Sequence, residues 1–451
     1  MLSARLSELA PWLGARLHGV DVTVTGVGND TRRLQPGMLY VALRGEHLDG
    51  HAFLAQARAA GAAAALVAQA DTGIDLPQLV VSDPLAGLGE LARRHRLRMP
   101  ARVVGITGSN GKTTVKNLTA AILAQVGSCH ANPGNRNNEI GLPLAVLELE
   151  PSHQFAVFEM GAGKPGDIAY LAAIAQPHIG LVNNIGPAHL ERMGTLDGVA
   201  ATKGALYEAL PADGVAVINA DDPFAAAFER RVSARRIVRY GLDAPAQVGA
   251  QVISVGEQCR FRLKVPGDEG EIVLPMPGRH NIANALAAAA IASALAVPFA
   301  AIRAGLEASS TVPGRLRLLR QPGGHALIDD TYNANPASVG AAIATVVSLP
   351  GEPWLVLGDM GELGPQAEAL HAQLGTLARS AGIVRLFTVG TLSRAASEAY
   401  GAGARHFDSM AELVDALRAA LEPGVVCLVK GSRSAGMERV LADLGGLVHA
   451  A

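Results

Sequence analysis

The stretch GITGSNGKTTVKNLTAAIL, residues 105–123, constrains this chain more than any other. An apolar strand, RVVGI, runs into a loop of small residues, and a helix opens on Lys112, Thr113 and Thr114. Backbone N–H groups of such a turn, together with the helix N-terminus, make a concave anion site. The usual spacing is G-x-x-x-x-G-K-[ST]. Here Ile106 stands where its first glycine would fall, and Gly108 gives G-x-x-G-K-T instead. Lys112 would neutralise β/γ-phosphate charge, and the Thr113 hydroxyl can ligate Mg²⁺. Gly108, Ser109, Asn110, Gly111 and Thr114 complete the cradle. The pattern implies nucleotide binding and is silent on what the energy serves.

The same strand–loop–helix grammar recurs. The first eighty or so residues alternate DVTVTGV, LYVAL, AALVA and QLVVS with an alanine-rich helix, AFLAQARAAGAA. A second helix, GLGELARRHRLR, precedes the phosphate-loop strand. Apolar runs then recur at FAVFEMG, IGLVNNIG and VAVINADD, separated by helical stretches. Short apolar strands alternating with helices imply a parallel sheet covered on both faces. Between Gly249 and Pro277 the pieces RFRLKV and EIVLPM read as an antiparallel flap. After STVPGRLRLL a further α/β pattern begins, with strands HALIDD, PWLVLGD, RLFTVG and VVCLVKG. At 451 residues, three domains are expected. The division reads 1–82, 83–311 and 312–451: a small α/β unit, a central parallel-sheet unit with the phosphate loop, and a doubly wound α/β unit.

A formal charge of -2 offers no basic field, and aromatic residues make up only 4% of the chain. Nucleic acid is therefore not the expected partner. Cys129, Cys259 and Cys427 lie far apart, with no C-x-x-C pair, which excludes a disulfide framework and suits a reducing cytosol. The N-terminus is interrupted by Arg5, Glu8 and Arg16 and lacks a signal-peptide core. The uncharged run NALAAAAIASALAVPFAAI is mostly alanine and contains Pro298, so it reads as a core helix ending near that proline and not as a membrane span. A cytoplasmic monomer is expected.

Several strand ends carry polar groups. Glu159, beside the phosphate loop, either caps a strand or completes a magnesium shell. His189 follows a strand end on the edge where open α/β sheets bind ligands. Lys203 lies in a helix of small residues, where most lysines are solvated. Asn281 could cap the alanine-rich helix, while Asn284, in its first turn, could address a base edge. The later loops LIDDTYNANP, with Asp330 and Asn335, LGDMGELG and LVKGSRSAGME suggest a site shared between domains.

Taken together, GSNGKTT, EMGAG, NIGPAHLE, TKGALYE, GRHNIANALAA, GRL, DDTYNANP, GDMGELG and KGSRSAGME resemble the Mur-ligase family over nearly the whole chain. The likeness is strongest to the members that add D-alanyl-D-alanine to UDP-N-acetylmuramoyl-tripeptide (UDP-MurNAc-tripeptide). It implies ATP-dependent amide synthesis through an acyl phosphate and a Rossmann-like α/β C-terminal domain, and the short-spaced loop is what that family uses. By this resemblance Thr31, Arg32, Glu46, Asp49, Gly50 and His51 meet the UDP-sugar. Glu159 and Thr113 hold one Mg²⁺, and His189 with a carbamate on Lys203 hold a second. Lys112, His189 and Lys203 are the catalytic candidates. Asn284 meets the adenine, Asp330 the ribose, and Arg315 the phosphates, with Asn281 in the nucleotide set. Asn335 belongs to the same nucleotide set, and Lys430, Ser432 and Arg433 face the acceptor peptide. A nucleotide switch is disfavoured, because a guanine-reading N-K-x-D tetrapeptide is absent.

Overall fold

The computed structural model describes residues 1–232 and 236–445. Its nine-stranded sheet is built around the strand Arg102–Thr107, flanked by Phe155–Glu159 on one side and Ile179–Val182 on the other. All three run parallel, and the chain turns outward to opposite sides at this central strand. That topology opens a crevice at the strands' carboxyl ends. Beyond Ile179–Val182 the sheet continues through Val215–Asn219, Arg236–Gly241 and Val248–Ser254, all parallel.

The expected flap is instead the edge of this sheet. Cys259–Val265 and Asp268–Leu274 form the antiparallel hairpin, but Val248–Ser254 joins it to the parallel strands. Only two residue pairs, Tyr240 with Val248 and Gly241 with Gly249, make that join, across the short connection 242–247. The alternating buried and exposed pattern of Cys259–Val265 marks one face packed and one solvated.

The alanine-rich segment forms a helix over Arg279–Ala294, followed by a second over Phe299–Glu307. Twelve of the sixteen residues of the first are buried, as an all-round apolar helix requires. It packs on the phosphate-loop helix Lys112–Leu123 and across the adjoining strands. Among the described residues no helix is long and apolar enough to cross a membrane.

The C-terminal sheet has six strands, with Ala326–Asp330, Val425–Lys430, Glu352–Gly358 and Arg385–Val389 as predicted. Sequence reading missed its two edges, Arg317–Arg320 and Ala404–Phe407. The N-terminal unit carries a five-stranded sheet and a two-stranded ribbon. Its apolar core runs on into the central unit: Leu39, Leu66 and Leu79 belong to one cluster with Leu88, Val103, Phe158 and Leu171. The C-terminal sheet has cores of its own.

Candidate active site

The loop between the strand Arg102–Thr107 and the helix Lys112–Leu123 is held by the segment Asn183–Gly186 of the neighbouring strand end. Ser109 donates its backbone N–H to Asn184 O (2.8 Å), and Asn110 donates its own to Asn184 Oδ1 (2.8 Å). The Ser109 hydroxyl is paired with Gly186 from both directions. Gly111 is at φ +78°, and a Cβ there would lie 2.4 Å from Asn284 Oδ1 and 2.6 Å from Asn183 Nδ2. Only glycine fits. Lys112 curls back onto the loop, donating from Nζ to Gly108 O (2.8 Å) and Ser109 O (3.3 Å).

Beneath the loop lies a buried polar cluster that sequence reading found only in part. The Thr113 hydroxyl donates to Glu159 Oε2 (2.7 Å), and Asn137 donates to Glu159 Oε1 (2.7 Å). Lys116 is buried beside them. Its Nζ donates to Asn132 O (2.7 Å) and Gly134 O (3.1 Å) and lies 3.8 Å from Glu159. Asn132 returns to the Glu159 backbone through both ends of its amide. Glu159 is therefore more than a strand end. Desolvation lowers the pKa of both Lys112 and Lys116, opposed by Glu159 and reinforced by Arg315.

The C-terminal unit reaches this cluster directly. Arg315 Nη2 donates to Thr113 Oγ1 (2.8 Å), and its guanidinium stacks on Tyr332 at 4.3 Å. Asn335 caps the helix Pro336–Val347 in a capping box with Ser338, and its Nδ2 donates to Asn110 Oδ1 (2.7 Å). Asp330 and Lys430 are register partners on adjacent parallel strands and form a 2.6 Å ion pair. Lys430 also donates to Asn333 O (2.9 Å), so it is committed to the Asp330 side. Ser432 donates to Asp359 O and Arg433 pairs with Glu438, and neither lines the central cavity.

That cavity, about 830 Å³, lies between the two sheets. The phosphate loop, Glu159, His189 and Asn284 line one wall; Arg315, Asp330, Asn335 and Lys430 line the other. Asn281 is not a helix cap. Gly278 holds the cap position, and Asn281 donates to Pro277 O while accepting from Asn284 (3.1 Å). Asn284 accepts in turn from Asn183 (3.1 Å). His280, which sequence reading did not single out, also lines the cavity, and burial pushes its pKa down to about 4.

Lys203 is the outlier among the basic groups. It is 1% exposed and has no hydrogen-bond or ion-pair partner among the described residues. Burial lowers its pKa to about 7, and nearby Lys112 pushes the same way. Such an amine is substantially uncharged at neutral pH. His189 stands at the start of the short helix Leu190–Met193 with φ +56°, and its Nδ1 lies 2.5 Å from Glu362 Oε2. Burial lowers its pKa, against the pull of Glu362. Among the described residues no group of three or more His, Cys, Asp or Glu is arranged to hold a metal.

The N-terminal candidates form a separate cluster. Arg32 pairs with Asp30 on an exposed turn. Asp49 accepts from the His51 backbone (3.0 Å) and faces its ring, and these bonds hold its pKa down at about 2. A Cβ on Gly50 would lie 2.7 Å from the backbone of Leu43. None of the six sequence candidates here, Thr31 and Glu46 included, lines the central cavity.

Comparison with known proteins gives a consistent result. A family profile described as Mur ligase middle domain matches residues 106–292. A second, Mur ligase, glutamate ligase domain, matches 314–433, and a third, Mur ligase family, catalytic domain, matches 23–96. The chain is 44% identical over 450 residues to UDP-N-acetylmuramoyl-tripeptide–D-alanyl-D-alanine ligase of Escherichia coli, covering 98% of this chain and 99% of that one. The Bacillus subtilis enzyme of the same name is 34% identical, covering 94% of each. Among solved structures, MurF from Acinetobacter baumannii superposes with a TM-score of 0.93 at 33% identity, covering 98% of this chain and 99% of that chain. MurF ligase from Thermotoga maritima in complex with ADP gives 0.82 at 27%, with 93% and 97% covered.

Proposed function

This chain belongs to the Mur ligase family, and from that premise we infer that it is an ATP-dependent amide ligase adding D-alanyl-D-alanine to UDP-MurNAc-tripeptide in peptidoglycan synthesis. The observation that carries this reading is the polar joint across the cavity, where Arg315 and Asn335 meet Thr113 and Asn110. A carboxylate is a poor electrophile, so the γ-phosphoryl group of ATP is first transferred to the tripeptide's terminal carboxylate, releasing ADP. The amine of D-Ala-D-Ala then attacks the acyl carbon. The tetrahedral intermediate expels phosphate and leaves the amide, with the amine proton lost to solvent or a base.

Both first reactants are anionic, so their approach needs positive charge in a dry site. Lys112 and the loop from Gly108 to Thr114 take the β- and γ-phosphates. Arg315 exchanges its Thr113 partner for a phosphate oxygen. Thr113 and Glu159 present a hydroxyl and a carboxylate oxygen on one side of the cavity, a hard-donor pair that fits Mg²⁺. When bound there, the ion neutralises phosphate charge. Asn281 and Asn284 serve the base, Asp330 with Lys430 the ribose side, and Asn335 fixes Asn110. Ser432 and Arg433 stay outside this arrangement.

His189 and Lys203 suit a second Mg²⁺ only after modification, since an amine is a poor ligand for that ion. The uncharged Lys203 amine can attack CO₂: a C–N bond forms, a proton leaves, and an anionic carbamate results. Thr31, Arg32, Glu46, Asp49, Gly50 and His51 take the UDP-sugar. The division at 82/83 and 311/312, a cytoplasmic location and a monomeric state complete the reading.

Incubation with ATP, Mg²⁺ and UDP-MurNAc-tripeptide, with and without D-Ala-D-Ala, tests it. Phosphate release should require the acceptor, and the pentapeptide mass should appear. Acceptor-independent release without that product refutes ligation.

A further inference from the structure

We propose that Glu362 is a positioning residue for His189, delivered across the cavity by the C-terminal unit to fix which ring nitrogen faces the reactants. This rests on the ligase reading only for the kinetic part of its test. Five non-glycine residues in the described chain have positive φ, and two of them, His189 at +56° and Glu362 at +61°, face each other. Their side chains meet at 2.5 Å, Nδ1 to Oε2. The left-handed region is sterically disfavoured for a residue with a Cβ. Strain of this kind persists where the surroundings over-determine it, and it gathers at functional sites.

The contact extends along both loops. A Cβ on Gly364 would meet Glu191 Cα at 3.9 Å, so the turn after Glu362 lies against the turn after His189. Both side chains line the central cavity. Their exposure, 30% for His189 and 58% for Glu362, makes the pair a weak source of stability. Its effect is directional. A carboxylate has no hydrogen to give, so Nδ1 must carry the proton and donate it. Only Nε2 is then left for the reactants or for an ion held with them. Without Glu362 the ring is free to rotate and offer either nitrogen. Because Glu362 follows the C-terminal strand Glu352–Gly358, His189 is set only when the two units stand together.

The test uses the full chain and the variants E362A and E362Q. The readout is ¹⁵N-histidine NMR of the ligand-free protein at pH 8, with the His189 signals assigned by their loss in H189Q. Wild type and E362Q should show Nδ1–H at His189, because a carboxamide oxygen still accepts. E362A should shift His189 to the Nε2–H form. In ligation assays E362A should lose about 10- to 100-fold in kcat, with KM for the UDP-substrate within about two-fold. E362Q should stay near wild type. An unchanged His189 tautomer in E362A, or a loss in E362Q as large as in E362A, overturns the proposal. A wild-type protein that forms no amide would sink the ligase reading alone, leaving the NMR result to decide the positioning role.

Discussion

Replacing Lys203 by methionine should stabilise the ligand-free chain at neutral pH while removing its activity. The side chain is 1% exposed, and burial with Lys112 nearby takes its pKa from 10.5 to about 7. Between those values the unfolded chain binds a proton that the native chain does not, so wild-type stability rises with pH across that window. Below pH 7 the native state carries the full penalty of a buried ammonium, about 5 kcal/mol at ~1.4 kcal/mol per pH unit. Near pH 9 about half remains, and above 10.5 none. Methionine has similar volume and no charge, so it leaves no sizeable cavity. A chain of three units is not a two-state folder. The assay is therefore the difference in melting midpoint between K203M and wild type in CO₂-free buffer at pH 6.5, 8 and 9.5. K203M should melt higher at pH 6.5, and the gap should shrink steadily toward pH 9.5. Its kcat should fall at least 100-fold. A variant that melts lower at every pH, or a gap that ignores pH, refutes the argument from desolvation.

Three further perturbations separate the parts of the site. Lys112→Met should leave the fold intact, because its Nζ only bonds loop carbonyls in the free protein. It should cost about 10²–10³ in kcat, read in steady-state assays. Asn335→Ala removes both a capping box and the bond to Asn110. It should lower the stability of the C-terminal unit by about 1 kcal/mol in differential melting and raise KM for ATP. Gly50→Ala forces a Cβ to 2.7 Å from the Leu43 backbone. Its effect should appear as a raised KM for the UDP-substrate with KM for ATP unchanged, measured in the same assay.

Much of the fold was legible because glycine and acid pairs punctuate short apolar runs, and those runs are the parallel strands. The edges were not. Arg317–Arg320 and Ala404–Phe407 carry arginines among their apolar residues, so their composition resembles loop. The site followed the same division. Lys112, Thr113 and Glu159 announce themselves through charge at a strand end or a helix start. Asn132, Asn137 and Asn183 do not, since a neutral amide has no periodic signature and its worth depends on which carbonyl or carboxylate folds up beside it. Lys116 reads as a solvated helix lysine. It is buried because the chain after Cys129–Ala131 turns the carbonyls of Asn132 and Gly134 toward it. Glu362 was visible only inside the motif GDMGELG, with its partner His189 on another sheet.

The two joints between the three units differ in kind, and that difference decides which of them can move. The N-terminal and central units share one apolar cluster, which joins Leu39, Leu66 and Leu79 to Leu88, Val103, Phe158 and Leu171. Separating them would expose that surface to water. The named contacts between the central and C-terminal sheets are polar: Arg315 to Thr113, Asn335 to Asn110, Glu362 to His189, and Arg320 to Glu257. Water can replace each of them at little cost, which is the condition for domain motion. The UDP-sugar candidates, the phosphate loop, Glu159 and Lys203 therefore stay together as one body. Arg315, Asp330, Asn335, Lys430 and Glu362 stand on the other side of the polar joint. An acyl phosphate is hydrolysed wherever water reaches it. The charge-compensating role proposed for Arg315 would tie phosphoryl transfer to a closure that excludes water.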